Sequence, residues 1–329
     1  MHRTSWSLSL SLPLSLFLPL AACVAADDVG APALGADDQA IVDGLPALPW
    51  MVQRAVAPIN CTATLIAQRF VLTALHCLSD EVAVGRPVQF YADASGPDRS
   101  TADPIVAVRV PSGTAPPFFN IDLDGRFADL AILELRDPAP TSVRPYARYA
   151  TLAWRYPGDD AFVVKVGAGA HDGELALRGE LRWQIDRTSA HDTPEVGQIW
   201  TNLAQTDGND SGGPLYTDDQ RLLGVLFGHD DDEAHNPAHN LYTSVPRHLD
   251  WILRTIGWTW PGGPPQAVQR FGAVRERFVN TTERVCQYAC RHDVGVAYTF
   301  GGPRHECVIL DSVTSYVQGN GYHSAILDP

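Results

Sequence analysis

Basic residues are scarce. The 329 residues carry 24 Lys and Arg against 38 Asp and Glu, a formal charge of -14. Phosphate backbones are held by basic patches, so this balance excludes a nucleic-acid surface. Beyond the first 23 residues no apolar run is long enough to cross a bilayer. A repeat of fixed period is also missing, which removes solenoids and propellers. So is the regular alternation of strand and helix that builds a parallel sheet. At 19% charged and 45% hydrophobic, the composition is that of a packed globular protein, not a disordered one. The length suits one large domain or two ordinary ones.

What the chain does have is strand-forming blocks. "RFVLTAL" (69–75), "DLAILEL" (129–135), "AFVVKV" (161–166) and "LLGVLFG" (222–228) recur between Pro, Gly and Asp punctuation. They predict a mostly β protein. Residues 1–23 read as a targeting segment: one Arg, the apolar "SLSLSLPLSLFLPL", then "LAAC" ending at Cys23. That ending resembles a bacterial lipobox, in which Cys23 is lipidated and anchors the chain to a membrane. Ordinary cleavage after Ala26 is the alternative, and both imply export. Residues 24–40, acidic and small, read as a linker or pro-segment.

With Cys23 in the targeting segment, Cys61, Cys77, Cys286, Cys290 and Cys307 remain. An exported chain meets an oxidising compartment, where disulfides persist. The expectation is one bridge in each block, Cys61 with Cys77 and one among the late three, with a thiol left over. Zinc held by the late cysteines with His292 or His305 is the weaker alternative. In "PRHLDWILRTIGW" (246–258), Leu249, Ile252, Leu253 and Ile256 recur at helical spacing and predict a helix. "PGGPP" (261–265) reads as a boundary. A second helix is predicted over 267–291, where Cys286 and Cys290 share a face.

Three residues stand where acyl-transfer chemistry needs them. A nucleophilic serine requires a base, a carboxylate to orient the base, and donors for the oxyanion. "GNDSGGPLY" (208–216) sets Ser211 in a glycine-rich turn, and "TALHC" (73–77) delivers His76 at the end of an apolar strand. "FADLAILEL" (127–135) offers Asp129 at the head of another strand, whereas Asp122 and Asp124 lead into none. Singly, these read as well as a turn serine, a buried polar histidine and a strand cap. The G-x-S-x-G elbow of α/β-hydrolases is missing, because Asn209 stands at its first glycine.

Taken together, these blocks resemble the chymotrypsin/trypsin-like serine peptidases over about residues 41–260. "IVDGLPALPW" (41–50) is similar to the family's mature N-terminus, with Asp43 for a glycine. "LTALHC" (72–77) is similar to its histidine block, with Leu75 for an alanine, and "VGAG" (166–169) to its Gly-Trp-Gly turn, with Ala168 for the tryptophan. The order His, Asp, Ser is the family's.

The resemblance implies two six-stranded antiparallel β-barrels, a C-terminal helix, and an extra C-terminal segment, 261–329, of unassigned role. It implies a serine endopeptidase with His76, Asp129 and Ser211 as its triad, and an oxyanion hole from the N–H groups of Asn209 and Ser211. Ile41 and Asp210 become the activation pair once another protease, or the enzyme itself, cuts after Ala40. Gln205, Phe227, His229 and Asn240 border the substrate pocket, with Asp207 where relatives often carry a cysteine. Proteins or peptides are the substrates, and neither cofactor nor metal is implied. The acidic loop 229–239 reads as solvated, with cation binding as its alternative. The departures at Asp43, Leu75, Ala168, Asp207 and Asn209 leave one competing class, a catalytically silent homologue serving as a binding module.

Overall fold

The structure is a computed structural model that describes residues 41, 44–58, 61–78, 84–111, 128–140, 148–169, 179–189, 197–203, 206, 210–230, 239–261, 266, 268–293, 295–318 and 321–327. Every described residue lies within Gln39–Pro329.

After the short strand β1 (Leu45–Pro46) and the one-turn helix α1 (Pro49–Val52), six strands follow: β2 (Ala55–Ala57), β3 (Ala63–Ala67), β4 (Phe70–Thr73), β5 (Pro87–Asp93), β6 (Gly96–Arg109) and β7 (Ala131–Leu135). They close into an antiparallel barrel in the order β2-β3-β4-β7-β6-β5. Its interior is filled by Val56, Leu65, Val71, Val88, Phe90, Ile105 and Leu133. Alternation along each strand supplies this inward face.

The next six strands are β8 (Phe162–Gly167), β9 (Arg182–Arg187), β10 (Gln198–Thr201), β11 (Pro214–Thr217), β12 (Leu222–Asp230) and β13 (His239–Ser244). With β1 added at one edge, they form a sheet in the order β1-β9-β8-β11-β12-β13-β10. An antiparallel bridge between Thr188, just past β9, and Thr201 of β10 joins the first and last of these six strands across the sheet. The Ser189 N–H donates to Trp200 O at 2.9 Å and the Asn202 N–H to Arg187 O at 3.0 Å, closing the second barrel. The two predicted barrels are therefore present, the second sealed by a far shorter seam.

Helix α2 (Val245–Thr255) follows, with Leu249, Ile252 and Leu253 buried, as its spacing predicts. The predicted helix over 267–291 is corrected. Only its end is helical, as α3 (Glu283–His292), whereas its first half forms strands β14 (Val268–Phe271) and β15 (Val274–Phe278). The helix starts where Thr282 Oγ1 caps the Val285 N–H at 3.3 Å. Strands β16 (Ala297–Gly301), β17 (Glu306–Leu310), β18 (Ser315–Gln318) and β19 (Tyr322–Ile326) complete a four-stranded sheet, β15-β17-β16-β19, and a pair, β14-β18.

Cys286 of α3 is bonded to Cys307 of β17, and Cys290 is left as a buried thiol. Burial pushes that thiol up to about 12. The pair uses two of the three late cysteines that the zinc alternative would need.

This C-terminal segment packs into the same core as the barrels, through Tyr288 and Tyr298 beside Leu152, Leu249 and Ile252. The Leu152 N–H donates to Tyr288 Oη at 2.8 Å, and Thr282 Oγ1 donates to Asp250 Oδ1 at 2.8 Å. Trp258 and Trp260 meet Tyr288 and Tyr298 edge-on, each pair with centroids 5.4 Å apart.

Candidate active site

Strand β4 ends at Thr73, and a 3-10 turn, Leu75–Leu78, carries His76. The predicted Cys61–Cys77 disulfide ties this turn to the entrance of β3. Asp129 lies two residues ahead of β7, the strand that pairs with β4 through Thr73 and Ala131. That pairing sets the two side chains together. Asp129 Oδ2 is 2.7 Å from His76 Nδ1, and Oδ1 accepts the His76 backbone N–H at 3.0 Å. Asp129 is only 6% exposed, and its carbonyl accepts from Thr243 Oγ1 at 3.3 Å. A carboxylate on Nδ1 places the ring proton there, so that Nε2 is left as the acceptor.

Ser211 sits at the head of the turn into β11. Its carbonyl accepts the Thr62 N–H at 2.9 Å, the Gly212 N–H donates to Leu226 O at 2.8 Å, and the Gly213 N–H to Asp210 O at 2.8 Å. Gly212 has φ +79°, and a Cβ there would overlap Thr62 O and Thr73 Oγ1. Only glycine lets this turn lie against the end of β4. The same Cβ position is 3.2 Å from the Ala74 nitrogen, two residues before His76. The serine turn of one barrel thus abuts the histidine turn of the other.

Asp210 is fully buried and accepts the Gly169 N–H at 2.7 Å. A Cβ at Gly167 or Gly169 would run into its carboxylate, which gives the glycines of "VGAG" a physical reason. Ile41 is 1% exposed, and its carbonyl accepts the Gly44 N–H at 3.1 Å.

Of the predicted pocket residues, Phe227 is half-buried and His229 exposed on β12, and Asn240 is buried on β13 opposite His229. Gln205, Asp207, Asn209, Cys23, Asp122, Asp124 and most of the acidic loop lie outside the described residues. A separate recess of about 450 Å³, lined by Trp154, Tyr156, Phe162, Asp218 and Arg221 among others, contains none of the predicted site residues.

One polar feature passes unnoticed in the sequence. Lys165, the only lysine in the chain, is fully buried in β8. Its Nζ lies 2.9 Å from Asp186 Oδ2 and donates to Leu203 O at 3.1 Å. Burial holds its pKa below the usual lysine range, and Asp186 and Asp210 oppose that shift. The signal was available: a lone lysine inside the apolar run "AFVVKV".

The paired barrels define a chymotrypsin-like fold. The family model for trypsin matches residues 42–252, and the chain belongs to that family, whose members are serine endopeptidases. Phenoloxidase-activating enzyme 1 of Spodoptera litura is 25% identical over 246 residues, 65% of this chain. The match spans 65% of that protein's own length. Trypsin of Squalus acanthias is 26% identical over 237 residues, 67% of this chain and 97% of the trypsin. Among solved structures, neuropsin, a serine protease expressed in the limbic system of mouse brain, matches with a TM-score of 0.51 at 19% identity, over 65% of this chain and 99% of its own. A mutant of human heparin binding protein gives 0.53 at 17%, over 67% and 99%. At such identities the likeness concerns the fold.

Proposed function

We propose that the chain is an exported serine endopeptidase acting through an acyl-enzyme intermediate. The observation that carries this reading is the two-point hold of Asp129 on His76, at 2.7 and 3.0 Å, beside the Ser211 turn. In it, Ser211 Oγ attacks the scissile carbonyl while His76 Nε2 accepts the proton and later returns it to the leaving amine. Asp129 keeps Nδ1 protonated and stabilises the imidazolium. The N–H groups of Asn209 and Ser211 receive the oxyanion, and loss of one such donor costs about 10²–10³ in rate.

Activation follows from cleavage between Ala40 and Ile41, by another protease or by the enzyme itself. The new ammonium at Ile41 then pairs with Asp210, a role that the burial of both residues supports. Residues 1–23 direct export, 24–40 form the pro-segment, 41–260 the peptidase domain and 261–329 an extension. Where Cys23 is lipidated, the same cut releases the enzyme from its anchor.

Ser211→Ala tests the assignment. It is expected to lose fluorophosphonate labelling and peptide hydrolysis together. Undiminished labelling of that variant refutes the role of Ser211.

A further inference from the structure

The recess of about 450 Å³ takes no part in the chemistry at Ser211, and its charges are unevenly matched. Strand β11 leaves the serine turn at Pro214 and reaches the recess at Thr217, roughly 10 Å of strand away. Two arginines line it, and both are already paired. Arg155 is held by Glu276 of β15 at 2.7 Å. Arg221 lies over the Trp154 ring, 3.7 Å from its centroid, with Asp219 at 2.9 Å and Asp293 at 3.7 Å. Asp218 is exposed, and among the described residues its carboxylate accepts only the Asp219 N–H, at 2.8 Å. The rings of Tyr156 and Phe162 share the recess with it. Phe162 remains 55% exposed although Arg187 stacks on its ring at 3.7 Å.

An apolar stripe leaves the recess from Phe162. Val163 and Lys165 point into the second barrel, so Phe162 and Val164 point out of it. On that outer face Val164 of β8 pairs with Ile185 of β9, and Trp183 of β9 pairs with Leu45 of β1. Phe162, Ile185 and Leu45 therefore lie on a diagonal across three strands, and Ile185 and Leu45 are 44% and 60% exposed. Strands about 4.8 Å apart, with same-face residues about 6.7 Å apart, put successive members roughly 8 Å from each other. An extended peptide repeats its same-side side chains at about 7 Å, close to that spacing.

We propose that the recess and stripe bind an extended polypeptide segment. An arginine side chain enters the recess, and apolar side chains two and four positions further on lie over Ile185 and Leu45. A guanidinium fits because its fork donates to a carboxylate while its plane stacks on a ring. The chain shows that arrangement twice at this place: Arg187 pairs with Asp160 over Phe162, and Arg221 pairs with Asp219 over Trp154. A neutral or acidic side chain would cover the Asp218 charge without matching it. The chain's formal charge of -14 also favours a basic partner. This site stands apart from the serine-endopeptidase reading and does not depend on it.

The experiment uses the full-length Ser211→Ala chain, which cannot consume a peptide through that serine. Fluorescence polarisation follows a fluorescein-labelled peptide, Arg-Ser-Val-Ser-Leu, and the same peptide with citrulline for arginine. The arginine peptide is expected to bind at least about tenfold more tightly, the scale of a charge-assisted, stacked contact. Asp218→Asn keeps an acceptor for the Asp219 N–H and is expected to abolish that preference. Where that variant does not fold, Phe162→Thr is expected to reduce the preference at least about threefold. Ile185→Thr is expected to weaken both peptides about threefold or more and leave their ratio unchanged. Equal binding of the two peptides, or none up to about 1 mM, overturns the site. An arginine preference that survives in Asp218→Asn, or in Phe162→Thr where that variant is used, places the cation elsewhere and overturns it too. Unchanged affinities in Ile185→Thr, or N-acetyl-arginine amide competing as well as the unlabelled peptide, refute the extended segment.

Discussion

Removing one member of the buried Lys165–Asp186 pair is expected to cost more than removing both. The side chains are 0% and 2% exposed, with Nζ and Oδ2 2.9 Å apart. Breaking such a pair from one side typically costs about 3–5 kcal/mol, whereas apolar replacement of both partners is often neutral or better. The neighbours set the order within that range. In Lys165→Met, Asp186 keeps the N–H groups of Arg187 at 2.7 Å and Leu203 at 3.3 Å, and Leu203 O keeps Asn240. The loss should be near the lower bound, about 3 kcal/mol. In Asp186→Leu, Lys165 keeps, among the described residues, the Leu203 carbonyl as its hydrogen-bond acceptor and only the more remote Asp210 charge, so about 5 kcal/mol is expected. Lys165→Met with Asp186→Leu should return to within about 1–2 kcal/mol of the parent. Guanidinium unfolding in a Ser211→Ala background, which prevents self-digestion, measures all four chains. With m of about 5 kcal/mol/M, Lys165→Met lowers the midpoint by about 0.6 M. Losses in the two single variants that simply add in the double would refute the reasoning.

Tyr288→Phe removes the acceptor of the buried Leu152 N–H and is expected to cost about 1–3 kcal/mol by denaturant titration. A change within error would show that the bond does not help hold the C-terminal segment to the barrels. Gly212→Ala forces a Cβ into Thr62 and Thr73 at positive φ; fluorophosphonate labelling should fall at least tenfold, and full labelling would contradict the described turn. Burial, then Arg291 and Arg221, hold His292 down at about 4, against about 6.5 when unfolded. The unfolded chain binds a proton in that window that the native chain refuses. Stability from this site is therefore intact above pH 6.5 and lost as pH falls towards 4. Melting curves at pH 7, 5.5 and 4 should show a smaller drop in His292→Phe, and parallel curves would rule the site out.

The histidine and aspartate turns were legible because each ends or begins an apolar strand, and the pairing of β4 with β7 brings such ends together. The Ser211 turn was legible through its glycines, one of which is required by contact with Thr62 and Thr73. The stretch 267–291 misled for a physical reason. Val268, Phe271, Val274 and Phe278 recur every three or four residues, a spacing that suits a helix. What decides for strands is partnership with β17 and β18 and the close approach of Gly272 to the Ser312 carbonyl, neither of which is local. The choice of Cys286 over Cys290 for Cys307 was equally hidden, since both lie on one helical face. Asn240 entered only through the resemblance, as a residue bordering the expected pocket. Its hydrogen bond to the main-chain carbonyl of Leu203 is one that no side-chain pattern announces.

The solitary, sealed lysine also decides how the molecule can be handled by chemistry. Amine-reactive esters find no exposed ε-amine on the folded chain, because Lys165 is the only one and is fully buried. A free α-amine is then the single site at which such a reagent can attach. Labelling before and after denaturation counts buried amines directly: one newly reactive group where only Lys165 is hidden, two where the chain start has also been drawn into the protein. A dye bought for routine conjugation becomes a reporter of whether Ile41 has been freed and inserted.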